Sequence, residues 1–300
     1  CDDGIILRFV RKLSGLSYKL GNLPMSEGGK NAWDIAMEVS LLAGGILMDW
    51  WPKAKQVFSK GPNDIVTNVD RECENFIIGE LKNHYPDHGT FGEEGFGTDP
   101  NKGWVWVVDP IDGTRNFAAG IPHFSIVVAL VKDGEVVVGV NYDPIHEEMF
   151  HAAKYQGAFL NDKRIKVSNK LKLEDVSCGF DPSNGPAEGT RSTLQVLRKL
   201  WPHLNTTRTL GSSALGLSYV AAGRTDIYIN HRLQPYDQAA GLVLVEEAGG
   251  IVTDRQGYRA GLYSDGIIAS SSPLHKDFMD LTKSAPWRRP SSRANNPREA

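Results

Sequence analysis

Asp109 and Asp112 stand three residues apart in the run Trp104-Val-Trp-Val-Val-Asp109-Pro110-Ile111-Asp112-Gly113-Thr114. Hard divalent cations such as Mg²⁺ take carboxylate and carbonyl oxygens, and phosphate takes exposed backbone N–H groups. Within six residues this stretch offers two carboxylates, a glycine that lets backbone approach a ligand, and the Thr114 hydroxyl. More acids occur elsewhere. Glu93 and Glu94 sit between glycines in Phe91-Gly-Glu93-Glu94-Gly95, Asp64 lies in Lys60-Gly-Pro-Asn-Asp64, and Asp237 opens Pro235-Tyr236-Asp237-Gln-Ala-Ala240-Gly241. The expectation is a cluster with no Lys or Arg close enough to offset it. Like carboxylates at short range cannot all ionise unaided, so such a cluster calls for cations. Each residue also has a plainer reading. Asp112 and Asp237 suit helix N-caps, Asp64 a turn, Glu93 and Glu94 solvated loop acids, and Asp70 a cap rather than a ligand.

The elements that must position these groups follow from periodicity. The apolar, β-branched run 104–109 reads as a buried strand, which Pro110 should end because it cannot donate a ladder hydrogen bond. Helical spacing from Trp33 to about Trp50 predicts an amphipathic helix, and a second spans roughly Asp70 to Leu81. Further strands are expected at Ser125–Lys132, Glu135–Asn141 and Glu148–Ala153, with Lys132-Asp133-Gly134 as a hairpin turn. The second half predicts strands near Val176–Phe180, Ile227–Ile229, Ile251 and Gly266–Ala269. Helices are expected over 190–200, Ser213–Ala222 and Asp237–Ala248, the last closed by Gly249-Gly250 in a left-handed cap. This alternation favours mixed sheets layered with helices.

Composition narrows the class. A chain of 300 residues, 41% hydrophobic, can bury a large core in one or two coupled domains. Net charge is −3 with both signs interspersed, leaving no basic stripe for nucleic acid. No apolar run has the length of a membrane span. Cys1, Cys73 and Cys178 are widely spaced and odd in number, which suggests reduced thiols and a cytoplasmic setting. The organisation expected is a loose lead-in over 1–30, an α+β part over 31–175, an α/β part over 176–284 and a disordered tail over 285–300.

Taken in order, Glu93-Glu94, Asp109-Pro-Ile-Asp112-Gly-Thr114, Gly157-Ala-Phe159-Leu-Asn161 and Asp237-Gln-Ala-Ala-Gly241 with its Gly249-Gly250 ending resemble the inositol monophosphatase family, from about Trp33 to about Phe278. The family comprises Mg²⁺-dependent, lithium-sensitive phosphatases, in a superfamily that includes fructose-1,6-bisphosphatase. The resemblance implies a layered αβαβα sandwich, a homodimer, and hydrolysis of a small sugar or polyol phosphate by a metal-activated water. It implies two to three Mg²⁺ ions, replaceable by Mn²⁺. Asp109 would bridge two of them, Glu93 and the Ile111 carbonyl completing one site, Asp112 and Asp237 the other, with a weaker ion also on Glu93. Thr114 and Glu93 would orient and deprotonate the attacking water, with Asp64 hydrogen-bonded to Thr114. Gly113 and Thr114 would offer N–H groups to phosphate, and Gly211, Ser212, Ser213 and Asn230 would face the substrate.

Departures from the inositol-type pattern bear on the substrate. Asn230 stands where inositol-preferring relatives carry Glu, Arg115 where they carry Thr, and Tyr236 where Trp is usual. A histidinol-phosphate phosphatase, a fructose-1,6-bisphosphatase and an inactive phosphometabolite-binding relative are the alternatives. The haloacid-dehalogenase type also has an Asp…Asp-Gly-Thr run, but with two-residue rather than three-residue spacing. Neither a dinucleotide fingerprint, a Walker loop nor zinc-ligand spacing occurs.

Overall fold

Strands that are apolar at successive positions, and so on both faces, build two sheets, and helices cover those faces. The computed structural model of the chain describes residues 23–53, 55–61, 64–95, 97–181 and 187–289. The lead-in before residue 23 and the tail from 290 lie outside the described residues.

Helix α1 (Ala32–Trp50) is capped by Asn31, whose Oδ1 accepts from the Trp33 and Asp34 N–H groups at 3.0 Å. Helix α2 (Asn68–His84) opens on a capping box in which Thr67 and Asp70 satisfy each other's ends. Between the helices, where Gly-Pro-Asn predicts only a loop, β1 (Val57–Gly61) and β2 (Asp64–Thr67) form an antiparallel hairpin.

The first sheet has seven strands in sequential order: β3 (Gly89–Gly92), β4 (Trp104–Asp112), β5 (Ser125–Lys132), β6 (Glu135–Asp143), β7 (Glu148–Ala153), β8 (Gly157–Leu160) and β9 (Lys163–Arg164). β3 runs parallel to β4 and every other pair is antiparallel. Asp133 and Gly134 join β5 to β6 with φ of 48° and 84°, as a right-twisted hairpin demands. One expectation fails here. β4 does not stop at Pro110 but continues to Asp112, with Asp109 opposite Val127 and Asp112 opposite Ser125. Three residues of β4 thus span two of β5, and this bulge accommodates a proline that cannot donate to the ladder.

The second sheet is ordered β11 (Thr206–Arg208), β10 (Ser177–Asp181), β12 (Ile227–Asn230), β14 (Ile267–Ser270), β13 (Ile251–Thr253). β11, β10 and β12 are parallel, and β14 is antiparallel to both its neighbours. Among the described residues the other α-helices are α3 (Thr114–Ala119), α4 (Ala187–Leu200), α5 (Ser213–Ala221), α6 (Pro235–Glu247) and α7 (Ser272–Thr282).

Alternation along the strands sets the layers. Trp106, Val108, Ile126 and Val128 face a core shared with α1 and α2, while Val107, Val127 and Ala129 face a second core with α5 and α6. Tyr228, Ile267 and Ala269 meet those same two helices from the other sheet. Ile227, Ile229 and Ile268 point the opposite way, into a third core under α4 and α7. The result is the expected αβαβα sandwich. Gly139 permits the central contact: a Cβ there would lie 2.6 Å from Val243 Cγ1 and 2.8 Å from the Ala240 backbone of α6. Gly249 takes φ of 83° and ends α6 as expected. The expected tail boundary shifts, because Ala285 and Trp287 are buried in the third core, Trp287 edge-on to Phe278. A large aromatic outweighs the polar composition around it.

Candidate metal centre

The bulge at Pro110 places Asp109 and Asp112 at one end of β4, and Asp237 arrives from the first turn of α6. Each offers a carboxylate oxygen within 4.8 Å of the other two. Asp109 and Asp112 are buried, and Asp109 Oδ1 accepts from the Ile111 N–H at 3.0 Å. Burial, followed by the charges of Glu93, Asp112 and Asp237, drives the Asp109 carboxyl well above the usual range. Burial also takes Asp112 to about 7, although hydrogen bonds from Ser212, Ser213 and Ala214 oppose the rise. Three acidic oxygens that cannot all carry charge on their own are the ligand set a hard divalent cation would complete. The residues present therefore fit such an ion.

Glu93 adjoins this trio through a hydrogen bond with Asp109. Burial raises its carboxyl to about 7 against the pull of Lys60. Here the expectation of an uncompensated cluster is corrected. The β1–β2 hairpin carries Lys60 over the loop, where its ammonium is 2.9 Å from Glu93 Oε1 and also pairs with Glu94. Burial alone would lower the Lys60 pKa, but the two carboxylates more than offset it and hold the group above its ordinary value. Beneath the loop, Glu74 of α2 accepts from the Glu94 N–H at 2.7 Å. A Cβ on Gly92 would strike the Glu74 carboxylate at 2.7 Å, so the loop rests directly on this side chain.

Thr114 begins α3 after Gly113, whose φ is 98°. A Cβ on Gly113 would also lie a tight 3.2 Å from the carbonyls of Gly211 and His123, so the positive φ and the close backbone both favour glycine. The Thr114 hydroxyl lies 3.0 Å from Asp70 Oδ1 and 2.9 Å from the Ile111 carbonyl, either of which can take its proton. Asp70 is thus the described partner of Thr114. The Asp64 side chain, assigned that part from the resemblance, lies outside the described ones. Asp70 Oδ2 meanwhile accepts from the Thr67 N–H at 2.8 Å, so the cap reading is right but incomplete. Burial raises its carboxyl, opposed by the bonds from Thr67 and Thr114. Thr67-x-x-Asp70 is visible in the sequence as a capping box, but nothing local announces its second oxygen as a site group. Lys60 and Glu74 are the other site-supporting residues that sequence reasoning passed over.

On the far wall, Ser212 caps α5: its Oγ accepts from the Leu215 N–H at 3.3 Å and donates to Asp112. Asp112 also accepts from the Ser213 and Ala214 N–H groups at 3.3 and 3.0 Å. One metal-type carboxylate of the first sheet is therefore held by a helix belonging to the second. Asn230, buried at the end of β12, donates to Tyr228 Oη at 3.3 Å and accepts from the Arg232 N–H at 3.0 Å.

The model of the inositol monophosphatase family matches residues 30–286. Over 249 residues the chain is 37% identical to a fructose-1,6-bisphosphatase/inositol-1-monophosphatase of Thermotoga maritima, covering 83% of this chain and 94% of that one. It is 38% identical over 240 residues to the Nus factor SuhB of Xylella fastidiosa, covering 79% of this chain and 86% of the relative. The crystal structure of extragenic suppressor protein suhB from Bartonella henselae is similar with a TM-score of 0.80 at 36% identity, covering 84% of this chain and 98% of that chain. With that coverage, and with Asp109, Asp112 and Asp237 converging in space, the chain belongs to the inositol monophosphatase family.

Proposed function

We propose that the protein is a Mg²⁺-dependent phosphomonoester hydrolase acting on a small sugar or polyol phosphate. The observation that carries this reading is the convergence of Asp109, Asp112 and Asp237 within 4.8 Å from separate elements. These three, with Glu93 and the Ile111 carbonyl, would hold two to three Mg²⁺ ions, and Mn²⁺ could replace them. Bound there, the ions would supply charge neutralisation for the ester and leaving alkoxide and lower the pKa of a water. The chain's own groups do the rest. The Thr114 hydroxyl donates a hydrogen bond to Asp70, which leaves a lone pair of the Thr114 oxygen free to accept a hydrogen bond from the attacking water. Glu93 receives that water's proton. Gly113 and Thr114 open α3, where helix N–H groups without intrahelical partners suit phosphate.

Some relatives bear the name Nus factor SuhB, but retention of every metal-type carboxylate favours hydrolysis over a binding-only role. Homodimerisation, cytoplasmic location and lithium sensitivity belong to the same proposal. The test is phosphate release from inositol, fructose, histidinol and nucleotide phosphates, with Mg²⁺ and with chelator. Turnover of sugar or polyol phosphates that chelator abolishes and Mg²⁺ restores is expected; full turnover in chelator would sink the mechanism.

A further inference from the structure

Asp181 ends β10 directly opposite Asn230 in the parallel register with β12. Both stand at the carboxyl ends of parallel strands, where open α/β sheets gather ligands. Asp181 is buried, and its carboxylate is fully engaged. Oδ1 accepts from the Leu210 and Gly211 N–H groups at 3.0 and 2.6 Å, and Oδ2 accepts from Tyr228 Oη at 2.9 Å. The same Tyr228 hydroxyl accepts from Asn230 Nδ2 and from Ser213. The turn that Asp181 grips is also held from the opposite side. Asn116 of α3 donates to the Leu210 carbonyl at 2.8 Å, and Gly211 sits at φ of 75°. The next three residues, Ser212, Ser213 and Ala214, are those that bind Asp112.

We propose that Asp181 is a positioning residue for both the Asp112 side and the Asn230 side of the site. Through the 210–211 turn it fixes the start of α5 against Asp112, and through Tyr228 it orients the Asn230 amide. Two backbone N–H groups and a phenol hydroxyl converge on this one side chain, so its acceptor oxygens tie the turn and Tyr228 to the end of β10. The two effects are separable. The turn depends on Oδ1, and Asn230 depends on Oδ2 by way of the Tyr228 hydroxyl. The inference rests on the hydrolase reading for its link to metal and substrate, but not for the local restraint.

Three variants test it: Asp181→Ala, Asp181→Asn and Tyr228→Phe. Hydrogen exchange of the 210–214 amides reads the restraint without metal or substrate. Mn²⁺ binding, followed by loss of the free-ion magnetic resonance signal, reads the Asp112 side. KM and kcat for inositol and fructose phosphates read the substrate side. Asp181→Ala is expected to speed exchange at 210–214 by tenfold or more, weaken Mn²⁺ binding by at least fivefold and raise KM. Asp181→Asn, which keeps one acceptor oxygen for both amides, should stay within threefold of wild type in exchange and Mn²⁺ affinity. Tyr228→Phe should change the inositol-to-fructose ratio of kcat/KM by threefold or more with Mn²⁺ affinity unchanged. Unaltered exchange and Mn²⁺ affinity in Asp181→Ala would overturn the proposal, as would equal losses in the Ala and Asn variants. If Asp181→Ala does not fold, an unchanged ratio in Tyr228→Phe overturns it instead. Wild-type protein that binds no Mn²⁺ and turns over without metal would defeat the hydrolase reading, whereas the exchange result would still decide the restraint.

Discussion

At the scale of single residues, removing one charge from a shared metal site should cost far more than removing a neighbouring charge. Asp109→Asn and Asp237→Asn are expected to lower kcat by about 10²-fold or more. Glu94→Gln should remain within roughly a few-fold, because Glu94 pairs with Lys60 and lies outside the converging trio. Steady-state kinetics on the three variants decides this, and an inactive Glu94→Gln beside an active Glu93→Gln would reverse the two assignments. Asp70 and Thr114 act as one unit, since the hydroxyl lies 3.0 Å from the Asp70 carboxylate. Asp70→Ala and Thr114→Ala should each reduce kcat by about 10²-fold, with the double variant little worse than either. Additive losses would show that the two residues work separately.

At the scale of elements, β7 carries a buried histidine that links pH to stability. His151 packs in a three-ring cluster with Trp33 and Phe159, and its Nε2–H donates to the Asn161 carbonyl at 2.8 Å. Burial lowers its pKa to about 4. Above pH 6.5 the ring is neutral in both folded and unfolded chains and costs nothing. As pH falls from 6.5 towards 4, the unfolded chain takes up a proton that the folded one refuses, so stability declines. By pH 5 the loss from this residue should reach about 2 kcal/mol. Thermal midpoints at pH 7 and pH 5 for wild type and His151→Phe test this: the variant should lack that share of the acid-induced drop, and an equal drop in both would exclude His151 as its source.

At the scale of the whole molecule, the site lies between the two sheets, at one end of β4 and at the first turns of the two helices, α5 and α6, that separate them. β4 supplies Asp109 and Asp112, α6 supplies Asp237, and α5 is bonded to Asp112 across the junction. An ion held there binds the folded chain alone, so it should stabilise the entire fold by mass action, about 2.7 kcal/mol at a hundredfold excess over Kd. A Mg²⁺-dependent rise in Tm is therefore expected in wild type and should be much reduced in Asp237→Asn. Calorimetry with and without Mg²⁺ checks it, and an identical rise in the variant would place the stabilising ion elsewhere.

What the sequence determined by itself was whatever depends on residues near one another in the chain. Apolar, β-branched runs marked β4 to β7, helical spacing marked α1 and α2, and Asp109-Pro-Ile-Asp112-Gly-Thr114 announced a paired-carboxylate turn. Local rules also misled, as at Pro110, where a bulge in a partnered strand absorbed the proline. The β1–β2 hairpin was missed because a short hairpin draws its order from what it packs on, not from its own propensity. The ties that shape the site were set only by tertiary structure. Lys60 meets Glu93 across 33 positions, Asp70 meets Thr114 across 44, and Asp112 meets Ser212 across 100. No propensity or spacing encodes such pairs. They exist because side-chain alternation buries both sheets against α5 and α6, and that packing alone brings the polar ends of β4, β10, β12 and these helices to one place.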